Sequence, residues 1–88
     1  MAISTIYPTA HFIKVYKNLP EEIKLSGKQK EEIFKINPFD SRLKTHKLKG
    51  KFKDYWAYSV NYQYRIMFKF IDDNTVLYYD IGTHDIYR

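Results

Sequence analysis

Between Pro8 and Asn37 the apolar positions recur every three or four residues, whereas from Tyr55 onward they alternate with polar ones in short aromatic and β-branched blocks. That change of period divides the chain into a helical first half and a sheet-forming second half. Ahead of both, Ile3 to Tyr7 predicts a first strand, with Pro8 in the first turn of the helix that follows. Phe12, Ile13, Tyr16 and Leu19 share one face of that helix and form its expected buried stripe, leaving Lys14, Lys17 and Asn18 to water. Pro20-Glu21-Glu22 starts a second helix, because proline is tolerated at the first position and the helix dipole favours acids there. Ile23, Ile33 and Phe34 are its anchors. Ser26-Gly27 interrupts the pattern, as either a close helix–helix contact or a break, and one continuous helix is expected up to Asn37-Pro38.

Three strands follow at Tyr55 to Val60, Tyr64 to Ile71 and Thr75 to Ile81, with turns at Asn61-Tyr62-Gln63 and Asp72-Asp73-Asn74. Alternation in the middle strand puts Tyr64, Ile66, Phe68 and Phe70 toward the helices, and Arg65, Met67, Lys69 and Ile71 on the open face. If the segment before them is extended, Lys47, Lys49, Lys51 and Lys53 share a face as a cationic comb suited to a phosphate backbone. The expected fold class is α+β: an N-terminal strand and a two-helix hairpin packed on one face of a twisted antiparallel sheet, in the order β-α-α-β-β-β-β.

Composition narrows the function classes. A chain of 88 residues makes one domain, residues 1–88, with one core and no second lobe. Fifteen Lys and Arg against ten Asp and Glu give +5, which favours an anionic partner such as nucleic acid or an acidic protein. The absence of cysteine rules out disulfides and thiolate chemistry. His11, His46 and His84 have no metal-ligand spacing, so neither a metal nor another cofactor is expected. There is no leader-like start and no apolar stretch of membrane-spanning length, and the expectation is a soluble cytoplasmic protein.

His46-Lys47-Leu48-Lys49-Gly50, Tyr55-Trp56, Tyr64-Arg65-Ile66 and the terminal Gly82-Thr83-His84-Asp85-Ile86-Tyr87, in this order of elements, resemble the RelE/ParE superfamily of bacterial toxins. The likeness is nearest to the RelE, YafQ and YoeB mRNA interferases. It implies a RelE-like fold and a type II toxin that enters the ribosomal A site, cuts mRNA without a metal, and is silenced by a cognate antitoxin. A small-molecule ligand is not implied. Carried over residue by residue, it makes His84, His46, Arg65 and Tyr87 the catalytic candidates. Where YafQ-like members have a second histidine and an aspartate, this chain has Ser59 and Gln63, and no YoeB-like glutamate stands near Lys49.

Such chemistry needs a group to take the 2′-hydroxyl proton, one to protonate the leaving 5′-oxygen, and cations for the phosphorane. Histidine suits the first two roles. Lys47, Lys49, Lys51 and Lys53 are candidates for substrate binding, with Trp56 and Tyr64 as base-stacking platforms. Each candidate has an ordinary competing use. Lysines protect sheet edges, strand aromatics fill cores, Arg65 can pair with Asp80, and Tyr87 can pin the last strand. His11 reads as structural. The competing functions are a ParE-like topoisomerase inhibitor with no acid–base residues and an inactive relative that only binds antitoxin or RNA.

Overall fold

A computed structural model describes residues 2–87, apart from the side chain of Tyr87. The element order is β1 (Thr5–Pro8), α1 (Ala10–Lys17), α2 (Glu21–Ile36), β2 (His46–Lys47), β3 (Trp56–Ser59), β4 (Arg65–Asp72) and β5 (Thr75–Gly82). Short 3-10 turns lie at Ser41–Leu43, Gly50–Phe52 and His84–Tyr87. The α+β class and order agree with the expectation, and the bounds of β1, β3, β4 and β5 differ from it by no more than two residues.

The sheet is mixed, in the order β1-β5-β4-β3-β2, where a purely antiparallel one was expected. β2 to β5 form an antiparallel meander, while β1 lies parallel on the outer edge of β5, with Thr5 opposite Thr75 and Pro8 opposite Tyr78. No hairpin links β1 to β5. The long excursion through both helices and three strands supplies the crossover that a parallel neighbour requires.

Pro8 ends β1 and does not open α1; Thr9 caps the helix, its hydroxyl accepting from the Phe12 amide at 3.0 Å. Ile13, expected in the buried stripe, is 52% exposed, because the helix turns Phe12, Val15 and Tyr16 to the core. α2 runs unbroken through Ser26-Gly27, and a Cβ on Gly27 would stand 3.8 Å from the Tyr16 ring, so this is the close-contact alternative. Asn37 leaves the helix in an extended conformation before buried Pro38.

Phe34 of α2 has no exposed surface and meets Tyr58 at 4.7 Å, Phe68 at 4.9 Å and Tyr78 at 6.0 Å between ring centroids. Around it Phe12, Ile23, Leu43, Val60, Ile66, Val76 and Ile81 complete the core between helices and sheet. Inside that core the Tyr58 and Tyr78 hydroxyls bond to each other at 2.8 Å. Burial pushes both phenols up, and for Tyr78 the neighbouring Tyr58 and Glu31 act in the same direction, so the pair stays neutral.

The opposite face carries a smaller cluster of Leu48, Ala57 and Met67, sealed by Phe52, Tyr55 and Ile86. The expected cationic comb does not form there. Only His46 and Lys47 pair as a strand, Leu48 is buried, and beyond the still extended Lys49, Gly50 takes φ +67°, which turns the chain into the 3-10 turn Gly50–Phe52. The four lysines remain exposed but do not share one strand face. No helix among the described residues is long and apolar enough to cross a membrane.

Candidate active site

Arg65 opens β4, opposite Ser59 on one side and Gly82 on the other. Its Nη1 donates to the carbonyls of Asn61 at 3.0 Å and Tyr64 at 3.4 Å, which fixes the guanidinium against the loop before its own strand. The loop is itself pinned, because Asn61 Oδ1 accepts from the Gln63 and Tyr64 amides at 2.8 and 2.7 Å. Arg65 Nη2 then lies 3.5 Å from His84 Nε2. As Arg65 can only donate, this contact is a hydrogen bond in the tautomer whose proton sits on Nδ1 and whose Nε2 is bare.

Gly82 leaves room for the turn that carries His84. A Cβ there would stand 2.5 Å from Ile86 Cγ2, a distance real side chains do not tolerate. With no side chain at 82, the turn His84–Tyr87 folds back, its Ile86 amide bonding to the Thr83 carbonyl at 3.1 Å and its Ile86 side chain packing over the Met67 cluster. His84 is thereby presented at the end of β5, beside Arg65.

His46 pairs with Ala57, and its Nδ1 lies 3.1 Å from the Lys44 carbonyl. It sits two strands away from β4, about 10 Å at the usual strand spacing. The structure thus brings Arg65 and His84 into contact and leaves His46 exposed on β2, away from that contact. The side chain of Tyr87 lies outside the described residues. Asp80 is not the partner of Arg65: it accepts from the Ile81 amide at 2.8 Å and faces His11 Nε2 at 3.0 Å.

Trp56 and Tyr64, read as base-stacking candidates, both pack against the helix-side core. Trp56 meets Phe39 at 5.4 Å and Phe70 at 5.7 Å, and Lys47, opposite Trp56 in register, lies on that same side of the sheet. In an antiparallel pair, directly opposed residues share a face.

Sequence reasoning missed Lys30, Arg42 and Lys44 beside Arg65. Lys30, Arg42, Lys44, Ser59 and Asn61 join it around a pocket of about 250 Å³. One signal was available. Ile23, Gly27, Lys30 and Phe34 follow the 4-3-4 spacing of one helix face, so Lys30 is a lysine inside the buried stripe of α2. A larger cavity of about 450 Å³ lies between β1, α1 and α2, but no histidine or arginine lines it. Among the described residues no three His, Asp or Glu side chains converge as metal ligands.

Solved structures share this architecture. The YoeB/ParE toxin from Agrobacterium tumefaciens superposes with a TM-score of 0.77 at 15% identity, covering 92% of this chain and 99% of that one. The Escherichia coli DinJ-YafQ toxin-antitoxin complex gives 0.71 at 20% identity, over 98% and 97% of the two chains. The archaeal RelE-RelB complex from Pyrococcus horikoshii OT3 gives 0.72 at 15%, over 94% and 96%. At these identities the likeness is one of fold. No curated protein sequence matches the chain. Residues 13–84, which run from α1 to the histidine beside Arg65, match the family model described as the RelE-like toxin of the type II toxin-antitoxin system HigB, and the chain belongs to that family of HigB-like toxins.

Proposed function

We propose that this toxin is a ribosome-dependent mRNA endoribonuclease, held inactive between uses by a cognate antitoxin. The observation that carries the reading is the contact between Arg65, anchored through Asn61 and Tyr64, and His84 at the end of β5. RelE-like toxins are ribonucleases, which supports the same chemistry here. The DinJ-YafQ and RelE-RelB structures are toxin–antitoxin complexes of the same fold, which supports an antitoxin partner.

In this mechanism the 2′-oxygen attacks the adjacent phosphorus and the bond to the 5′-oxygen breaks. The products are a 2′,3′-cyclic phosphate and a 5′-hydroxyl. Arg65 holds the phosphate and stabilises charge on the phosphorane. His84 moves one of the two protons, as acid or base, with His46 or Tyr87 as its complement. Lys49 and Lys51, exposed on the loop after β2, attract the RNA backbone.

A cell-free translation assay with a defined mRNA tests this, by mapping 5′ ends for the wild type and His84→Ala with and without ribosomes. New ends that need both ribosomes and His84 are expected. Cleavage by His84→Ala at the wild-type rate would remove His84 from the chemistry, and intact mRNA with the wild type would remove the nuclease reading. A substrate lacking the 2′-hydroxyl at the cut site should stay whole, because it has no internal nucleophile.

A further inference from the structure

We infer that the pocket beside Arg65, on its β3 side, is a second phosphate site that holds the RNA phosphodiester neighbouring the scissile one. The choice of RNA as the source of that phosphate rests on the ribonuclease reading. The pocket itself rests on its construction.

Side chains reach it from separate parts of the fold. Lys30 comes from α2, Arg42 and Lys44 from the 3-10 turn Ser41–Leu43 and its end, and Ser59 and Arg65 from β3 and β4. Lys30 rises from a helix face otherwise occupied by Ile23, Gly27 and Phe34, and its Nζ donates to the Val60 carbonyl at 3.1 Å. That bond uses one of the three ammonium protons and aims the head group at the end of β3. Lys44 ends the 3-10 turn with φ +52°, the only non-glycine residue with positive φ among the described residues. Glycine or asparagine takes that conformation at lower cost, so holding a lysine there places a charge at the expense of local strain.

The charges are not balanced. Arg42 pairs with Asp40 at 2.9 Å, while among the described residues no carboxylate forms an ion pair with Lys30, Lys44 or Arg65. Gathering like charges around a cavity of about 250 Å³ raises the free energy of the empty protein, and an anion in the cavity relieves it. Arg65 borders both compartments. It faces His84 on the β5 side, and Ser59 and the pocket on the β3 side. An RNA strand whose scissile phosphate lies at Arg65 and His84 therefore carries its next phosphate into the lysine pocket.

The test is fluorescence anisotropy with a labelled 2′-O-methyl oligoribonucleotide, which binds but has no nucleophile and is not cut. Wild type is compared with Lys44→Gln, Lys44→Arg and Lys28→Gln across a salt series. Lys44 is exposed, so its replacement spares the core, and Lys28→Gln removes the same charge from α2 on the side where its Nζ lies 5.9 Å from the Tyr16 ring centroid. Lys44→Gln should weaken binding about three- to tenfold at low salt. Its salt slope should fall by about 0.7, the loss of one single-strand phosphate contact. Lys44→Arg should stay within about twofold of wild type, and Lys28→Gln should move both readouts far less than Lys44→Gln.

Equal losses in Lys44→Gln and Lys28→Gln, a wild-type slope in Lys44→Gln, or no binding by the wild type would overturn the pocket. Wild-type RNA binding combined with lost antitoxin affinity would also overturn it and give the pocket to a carboxylate partner. Binding with a Lys44-dependent slope in a protein that cuts no mRNA would keep the phosphate pocket and sink the nuclease reading alone.

Discussion

Met67 and Phe68 are consecutive in β4 and equally buried, yet they lie under opposite faces of the sheet. Phe68 belongs to the core that α1 and α2 close, where Phe34 meets it edge-on at 4.9 Å. Met67 is covered by Leu48 and Ile86, from the loop after β2 and the turn after β5. One face is sealed by two regular helices and interlocking rings. The other is sealed by the segments that carry the candidate chemistry, His46 at the start of one and His84 in the other. A site that acts on a large partner needs approach from solvent, and surface segments that cover a small cluster leave that approach open. Position of the site thus depends on modest packing, while stability depends on the far face.

The sharpest way to break this comparison is to empty each side of the same strand. Phe68→Ala should cost about 3–5 kcal/mol, a large part of the roughly 5–15 kcal/mol that holds a domain together. Met67→Ala should cost about 2–3 kcal/mol, near the lower end for buried methionine, since the surface segments above it can settle into the space. Urea denaturation of both variants decides. Equal losses would mean that the loop and turn are as rigid a cover as the helices.

Much of the scaffold was legible in the chain, for a physical reason. Periodicity reports which side of an element is buried, and Ile66, Phe68 and Phe70 were rightly placed toward the helices. Where the reading failed, something other than period decided the outcome. Gly50 at φ +67° broke the lysine comb, and the edge of β5 took β1 in parallel, a pairing no local pattern encodes. In the site, Arg65 and His84 stood out as residue types, but their 3.5 Å contact is made by a turn whose Ile86 packs into the space left by the missing side chain at Gly82. Lys30 went unread because a lysine in a buried stripe looks like a gap in the pattern until the Val60 carbonyl is seen to receive it.

Arg65→Lys separates position from stability. A lysine keeps the charge but cannot hold the Asn61 and Tyr64 carbonyls and still face His84, because it lacks the planar fork. Cleavage in the translation assay should fall about 100-fold, as for loss of one preorganised charge-stabilising donor. The urea midpoint should barely move. A variant with full activity would show that a point charge is enough at this position and that the anchoring carbonyls do not contribute.

Gly82→Ala addresses the cover itself. The added methyl would meet Ile86 Cγ2 at 2.5 Å while Ile86 Cβ stands at 4.0 Å, so the Ile86 side chain must turn away and give up packing on the Met67 cluster, which loosens the His84 turn. A stability loss of about 1–2 kcal/mol is expected, in the range for overpacking, together with a fall in cleavage larger than an equally destabilising core variant produces. Faster amide exchange at residues 84–86 should accompany it. The double variant Gly82→Ala with Ile86→Ala removes the clash and should recover part of the lost stability, which a backbone effect of alanine alone would not allow.

The smallest effect belongs to the turn between α2 and β2, which borders the lysine pocket. Asp40 accepts from Arg42 Nε and Nη2 at 2.9 Å each and from its amide at 3.0 Å, and these bonds hold its carboxyl down to about 2. An unfolded aspartate titrates near 3.9, so the pair contributes stability above about pH 4 and loses it as the pH falls through 2. Solvent and salt screen so exposed a pair, and the contribution is small. Urea midpoints of wild type and Asp40→Asn should differ at pH 6 and converge toward pH 2. At neutral pH the same variant releases Arg42 into the pocket and should tighten oligoribonucleotide binding, opposite in sign to Lys44→Gln. Weaker binding by Asp40→Asn would show that the turn's geometry, which the carboxylate holds, matters more to the pocket than the charge it cancels.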